Sequence, residues 1–249
     1  MVSIITPCYN AGKFIGQTIE SVQSQTYNNW EMIIVDDCST DNSVDIISRY
    51  AKSDERIKLV TLKKNTGSPS EPRNIAISRA IGDVIFFLDA DDLWMPKKIE
   101  EQLAFMKDKG CSIVYSNGTM IDENGNYIRS MVKRPIVDYK TTLFRCELSC
   151  SSVMLKKELI GELKFENRGK EDFVFWLKLL KVTNEKAYNT EKNHYSYRVL
   201  DNSRSRNKKE VVRAQWYIYR EIENIGIIQS SYYMFRYLWE SVKKYYISK

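Results

Sequence analysis

The chain has 249 residues, enough for one large α/β domain or two small ones, and 43% of them are hydrophobic, which supports a real core and argues against disorder over most of the length. The formal charge is +6, yet residues 203–249 hold 10 Lys and Arg against 4 Asp and Glu, leaving residues 1–202 balanced at 28 against 28. The five cysteines (Cys8, Cys38, Cys111, Cys146, Cys150) are an odd set without a C-x-x-C pair and His194 is the single histidine, which argues against a disulfide framework, a zinc site and a histidine-rich metal cage, and leaves a Ser-His-Asp triad one residue to rest on.

The opening MVSIITPCYN lacks the basic and long apolar segments of a signal peptide, and no apolar run approaches the about 20 residues that a bilayer span requires, so the sequence predicts a cytoplasmic protein. Short runs rich in Val, Ile and Phe at 2–6, 30–35, 57–62, 84–88 and 111–116 read as strands. Helical patterns near 13–25, 42–53, 71–81 and 96–108 lie between them. This β-α-β alternation predicts an α/β fold: a mainly parallel, Rossmann-like sheet with helices on both faces.

Beyond Ser116 the pattern loosens. A hairpin is expected around Asp122-Glu-Asn-Gly125, a helical stretch near 138–146, a strand at 151–155 and a helix over about 173–181. Residues 201–209 read as a hydrophilic loop, followed by amphipathic helices over about 208–224 and 229–246 that part near Gly226. The expected organisation is a regular βαβ half at 1–117, a second half of the same domain at 118–202 and a basic, aromatic extension at 203–249, which carries 10 of the 30 aromatic residues.

In parallel sheets, ligands bind beyond the carboxyl ends of the strands, and three acidic clusters fall at predicted element ends. These are Asp36-Asp37, Asp89-Ala-Asp91-Asp92 and Glu171-Asp172. Like charges gathered on one rim are costly unless a cation or a donor-rich ligand sits among them, and oxygen ligands without His or Cys suit Mg²⁺ or Mn²⁺. Acid pairs also cap helices, and Asp91 or Asp92 could serve the helix that Pro96 begins.

Four motifs in order carry a resemblance: Val2-Ser-Ile-Ile-Thr-Pro-Cys-Tyr-Asn-Ala, Ser21-Val-Gln-Ser-Gln-Thr-Tyr27, Ile34-Val-Asp-Asp-Cys-Ser-Thr-Asp41 and Leu88-Asp-Ala-Asp-Asp92. Together they resemble the family 2 glycosyltransferases of GT-A fold over the first ~115 residues, with a weaker continuation to Glu171-Asp172. The resemblance implies an inverting, metal-dependent transferase that moves one sugar from a nucleotide-sugar, a UDP-sugar by preference, to an acceptor hydroxyl. Bacterial relatives of this type extend lipid-linked oligosaccharides for lipopolysaccharide or capsule.

The same resemblance assigns residues. It implies that Thr6 and Tyr9 contact the base, that Asp37 accepts a hydrogen bond from the uracil ring N–H, and that Arg73 lies near base and diphosphate. Asp89-x-Asp91 looks like the DxD motif, with Asp89 at the ribose, Asp91 on the metal and Asp92 in either role. Asp172 matches the general base at a helix start, where the helix N-terminus and Lys170 are expected to keep its carboxylate ionised, and Glu171 is placed on the acceptor side.

Departures also inform. Neither the Gln-x-x-Arg-Trp motif nor the membrane helices of processive synthases occur, which favours single-sugar addition. Tyr197-Arg198-Val-Leu200 has leucine where some relatives carry a metal-binding histidine, and His194 reads as an ordinary strand residue. The tail from Tyr232 to Ile247 interleaves rings with basic residues, a pattern that fits a helix in a membrane interface, rings packed on the body, or a dimer contact; no nucleic-acid motif accompanies it. Three other readings were weighed: a nucleotidyltransferase, for which Pro7-Cys-Tyr-Asn-Ala-Gly12 is a poor phosphate loop, a non-catalytic sugar-nucleotide-binding or membrane scaffold protein, and a receiver domain suggested by Asp36-Asp37 alone.

Overall fold

A computed structural model describes residues 1–200 and 208–246. Strands β1 (Val2–Cys8) and β2 (Trp30–Asp36) are buried at every position, because helices cover both faces of the sheet and leave no face on which polar residues could alternate. With β3 (Ile57–Thr61) and β4 (Val84–Phe87) they form a parallel set in the order β3-β2-β1-β4. The crossovers are α1 (Ile15–Gln23), α2 (Ser43–Ser53) and α3 (Ser70–Arg79). The chain reverses its direction of travel across the sheet between β1 and β4, the switch point at which such sheets open a crevice.

The second half is mixed. It contributes β5 (Leu93–Trp94), α4 (Lys98–Lys109), β6 (Ile113–Ile121), β7 (Tyr127–Met131), β8 (Ile136–Val137), α5 (Tyr139–Phe144), β9 (Met154–Lys156), α6 (Glu171–Thr183) and β10 (Ala187–Arg198). Strand β9 is antiparallel to both β4 and β6, and β10 runs parallel to β6, completing the path β4-β9-β6-β10-β5 of a ten-stranded sheet. The α/β class with helices on both faces agrees with the sequence pattern; the parallel character holds for β1 to β4 and for the β6-β10 pair. The expected hairpin at Asp122–Gly125 joins β6 to β7, with Gly125 at φ 88° and Asp122 Oδ1 accepting the N–H groups of Asn124 and Asn126.

Side-chain alternation splits the core into two layers. Ile4, Met32, Ile34 and Phe86 meet Ile15 and Ile19 of α1, Ile47 of α2 and Ile99 of α4 on one face. Ile5, Ile33, Val35 and Phe87 meet Ala76 of α3 and Phe175, Trp176 and Leu179 of α6 on the other. Where β6 meets β10, the fit leaves no room for a side chain: a Cβ on Gly118 would lie 2.4 Å from the ring of Tyr195. Gly118→Ala is expected to cost roughly 1–3 kcal/mol in urea denaturation, and an unchanged midpoint would show that the ring moves aside freely.

The sequence marks strand β10 only through His194, without bounds. Its sequence, Ala-Tyr-Asn-Thr-Glu-Lys-Asn-His-Tyr-Ser-Tyr-Arg, is mostly polar, and an irregular register between Asn189 and Tyr195, with Glu191 at φ 60°, breaks the period-2 signal. His194 lies in it, buried, between Glu101 Oε2 at 2.9 Å and Thr190 Oγ1 at 3.3 Å, as an ordinary strand residue should. The two C-terminal helices are α7 (Lys208–Tyr217), continued by a π-helical turn at Ile218–Ile222, and α8 (Ile227–Tyr246). Up to residue 207 the expected loop over 201–209 lies outside the described residues. Ile218, Tyr219, Tyr233 and Met234 pack with Leu143 of α5 and Phe173, Val174 and Leu177 of α6 in a third cluster. Among the described residues no helix is long and apolar enough to cross a membrane.

Candidate active site

The registers Cys8↔Asp36 and Asp36↔Thr61 place the ends of β1, β2 and β3 side by side, so residues just beyond them share one rim of the sheet. The loops there are cross-linked. Asp41 Oδ2 accepts the Gly12 N–H at 2.9 Å, Asn10 Oδ1 accepts the Thr40 N–H at 2.8 Å, and Asn10 and Cys38 adopt left-handed φ of 48° and 61°. Thr6, expected at the base, is fully buried inside β1, and the exposed residue at this strand end is Tyr9, at 51%. Asp37 stands on the rim but is already engaged: its carboxylate accepts Thr66 N–H at 2.9 Å and Thr66 Oγ1–H at 2.9 Å, which fixes the 65–67 turn leading into α3.

Arg73, in the first turns of α3, is the centre of the acidic array. It is 5% exposed, and its Nη2 donates to Asp89 Oδ1 at 2.6 Å. Its Nε and Nη1 are buried without a protein acceptor, and the guanidinium lies 5.3 Å from the Phe165 ring centroid. Burial opposes the charge on this guanidinium, but Cys150, Asp89 and, more weakly, Asp172 together hold its proton above the ordinary arginine range. The third acidic cluster is thereby brought to the second, across about 80 residues of intervening chain.

The 89–92 turn is held by β10. Arg198 donates its backbone N–H to Asp92 Oδ1 and its Nε–H to the Asp91 carbonyl, each at 2.9 Å, while Nη1 reaches the Glu123 carbonyl and Nη2 the Gln17 side chain. Ser151 Oγ accepts the Asp89 N–H at 3.1 Å. Asp92, offered by the sequence as a metal ligand, is 1% exposed: its Oδ1 accepts the Arg198 N–H, its Oδ2 is buried without a protein partner, and Asp91 beside it is half-buried. The Tyr197-Arg198 pair was noticed in the sequence only for the histidine that does not follow it, and the latch it forms was missed.

Burial raises the Asp91 carboxyl to about 6, and the neighbouring Asp89 adds to the rise. Burial likewise lifts Asp92 well above the carboxylate range, with Asp91 and Asp89 contributing. Asp172 opens α6, and its Oδ1 accepts the Phe173 N–H at 2.7 Å. Its carboxyl is raised: burial outweighs the opposing pull of Arg73 and of the Phe173 N–H, and Asp89 raises it further. Lys170 does not reach over to pair with it. Its Nζ donates to Gln215 Oε1 at 2.7 Å and to Tyr237 Oη at 3.3 Å, and burial lowers it to about 8. Glu171 stands one residue before Asp172, half-buried at the start of the same helix.

The array is thus an excess of carboxyl groups around one buried cation with idle donors. Carboxylates of this kind have the chemistry to coordinate a divalent cation, and idle guanidinium donors that to bind an anion. Among the described residues no three His, Cys, Asp or Glu side chains are grouped to hold a metal alone.

The family model described as Glycosyl transferase family 2 matches residues 3–158, well over half of the chain. The protein belongs to glycosyl transferase family 2. Among similar members, TuaG of Bacillus subtilis, a glycosyltransferase assigned provisionally to teichuronic acid biosynthesis, is 37% identical over 98% of this chain and 97% of its own. The Escherichia coli UDP-Glc:α-D-GlcNAc-diphosphoundecaprenol β-1,3-glucosyltransferase WfgD is 35% identical over 98% of this chain and 95% of its own. The fold matches that of Staphylococcus aureus TarS 1-349 in complex with UDP-GlcNAc, with a TM-score of 0.75 at 23% identity over 95% of this chain and 71% of that one.

Proposed function

We propose that this family 2 member is an inverting transferase that moves one sugar from a UDP-sugar to a hydroxyl of a lipid-diphosphate-linked saccharide during bacterial surface polysaccharide synthesis, at the cytoplasmic membrane surface. The observation that carries the reading is Arg73, buried, paired with Asp89 and within the field of Asp172, with its Nε and Nη1 unpaired by protein. A diphosphate supplies the missing acceptors. The printed activity of WfgD and the UDP-GlcNAc complex of TarS support the donor and acceptor classes.

In this reading Asp91, with Asp89 next to it, would hold Mn²⁺ or Mg²⁺, which offsets charge on the departing diphosphate. Asp89 is divided between the ribose and its ion pair with Arg73, and Tyr9 offers its ring to the base. Asp37, already accepting from Thr66, has lone pairs left for a uracil N–H. Asp172 takes the proton of the acceptor hydroxyl as its oxygen attacks the anomeric carbon opposite the leaving group, so a single displacement inverts the anomeric configuration. A raised carboxyl is the better base for this task, since its proton affinity lies nearer the working pH. Glu171 lies on the acceptor side.

The test is a panel of UDP-sugars with polyprenyl-diphosphate-linked GlcNAc, assayed for UDP release and for product anomer by NMR, with Mn²⁺ and with EDTA. Acceptor-dependent UDP release that stops in EDTA, giving an inverted product, is expected. Release of nucleoside monophosphate, or a retained anomer, would contradict the proposal.

A further inference from the structure

Helix α8 has two apolar faces, and the fold covers one. Ser230, Tyr233, Tyr237 and Glu240 turn toward α5, α6 and α7: Tyr233 enters the third core cluster, Tyr237 meets Lys170, and Glu240 pairs with Arg134 and Arg145 at 3.1 and 2.9 Å. On the opposite side Ile228, Tyr232, Phe235, Leu238, Trp239 and Val242 follow helical spacing and are all exposed, with Phe235 at 63% and Trp239 at 59%. The rings of Phe235 and Trp239 stack on each other, 6.5 Å between centroids. A stripe of this kind is too large and too aromatic to be left to water.

Its charge distinguishes one occupant from others. Glu240 is the single acid of residues 227–249, and its side chain is 12% exposed and drawn into the body by two arginines. The same segment carries Arg236, Lys243, Lys244 and Lys249. An outward apolar face on a basic segment whose one acid is turned inward repels a second copy of itself and complements a surface that is apolar beneath and anionic above. We infer that the outer face of α8 lies in the headgroup region of an anionic bilayer, with Phe235 and Trp239 as its inserted anchors. The inference deepens the proposed function, which places a lipid-linked acceptor at that surface. Since the inner face of α8 holds Lys170, two residues from Asp172, docking would set the orientation of the candidate base toward the membrane.

The test is co-sedimentation of the full chain with vesicles of phosphatidylcholine alone and mixed with phosphatidylglycerol, at low and high salt, for wild type, the double variant Phe235→Ser/Trp239→Ser and the conservative Phe235→Trp. Wild type and Phe235→Trp should sediment with the anionic vesicles and be released by salt. The double variant should lose roughly tenfold or more in partitioning while keeping the wild-type thermal midpoint, because both rings already face water. Equal binding of the double variant, or no sedimentation of wild type with anionic vesicles, overturns the inference. So does a dimer in analytical ultracentrifugation that the double variant converts to monomer without any vesicle binding. No sugar transfer is read in these assays, so failure here and failure of the proposed reaction are separate results.

Discussion

Asp172→Asn is expected to lower turnover by roughly 10²- to 10⁴-fold, the usual contribution of a positioned base, while UDP binding stays within about threefold of wild type. Asparagine keeps the carbonyl oxygen that accepts the Phe173 N–H, so the start of α6 is preserved and only the proton acceptor is removed. The same substitution should not weaken the fold. Because the folded-state pKa of Asp172 is raised, its contribution to stability is fully present below the unfolded value of about 3.9 and is lost as pH rises through the folded value. Once ionised, the buried carboxylate is a burden that asparagine removes. Wild-type turnover should climb with pH along a limb displaced above the ordinary carboxylate range, as Asp172 gives up its proton. Steady-state rates, UDP titration and thermal melts on one preparation separate the outcomes: turnover within a few fold of wild type refutes the base, and loss of UDP binding moves Asp172 to the donor side.

Asp91→Asn is expected to abolish metal-stimulated UDP binding and, without ligands, to stabilise the protein. The carboxyl of Asp91 is raised to about 6 by burial and by Asp89. Its stabilising contribution is complete below the unfolded value of 3.8 and disappears as pH rises past about 6, so in that window wild type should lose stability relative to the variant. The gap at neutral pH has a ceiling of roughly 3 kcal/mol at about 1.4 kcal/mol per pKa unit. Mn²⁺ with UDP should close it for wild type and leave the variant unmoved. Thermal melts across this pH range, with and without Mn²⁺ and UDP, check both halves. A variant that melts below wild type at neutral pH, or that keeps Mn²⁺-stimulated UDP affinity, contradicts the assignment. The trade of stability for function follows from crowding like charges where a cation is to bind.

Much of this arrangement was legible from residues alone, because burial on both faces writes β1, β2 and β4 as apolar runs and the polar residues after them stand out. The sequence period located α1 to α4 and the two C-terminal helices for the same reason. It could not show that Asp92 turns inward or that Thr6 is sealed, since adjacent residues on one turn differ only in direction. Nor could it bound β10, whose polar and irregular course hid the latch that Arg198 places on Asp91 and Asp92. Lys170 was read as a partner of Asp172 from proximity in sequence; its side chain goes to Gln215 and Tyr237, which are distant along the chain. The tail offered membrane, packing and dimer readings, and the structure divides its rings between a face packed on the body and one left bare.

The central claim is that carboxylates from separate strands and a helix frame one pocket for a cation and a diphosphate. A crystal structure with UDP and Mn²⁺, with the metal located by its anomalous signal, tests it most directly. The expected result is a peak bonded to an Asp91 oxygen at about 2.2 Å, the diphosphate between that metal and the idle nitrogens of Arg73, and Asp172 facing the open side of the β-phosphate. A metal away from Asp89 and Asp91, or UDP seated on another face of the sheet, would contradict it.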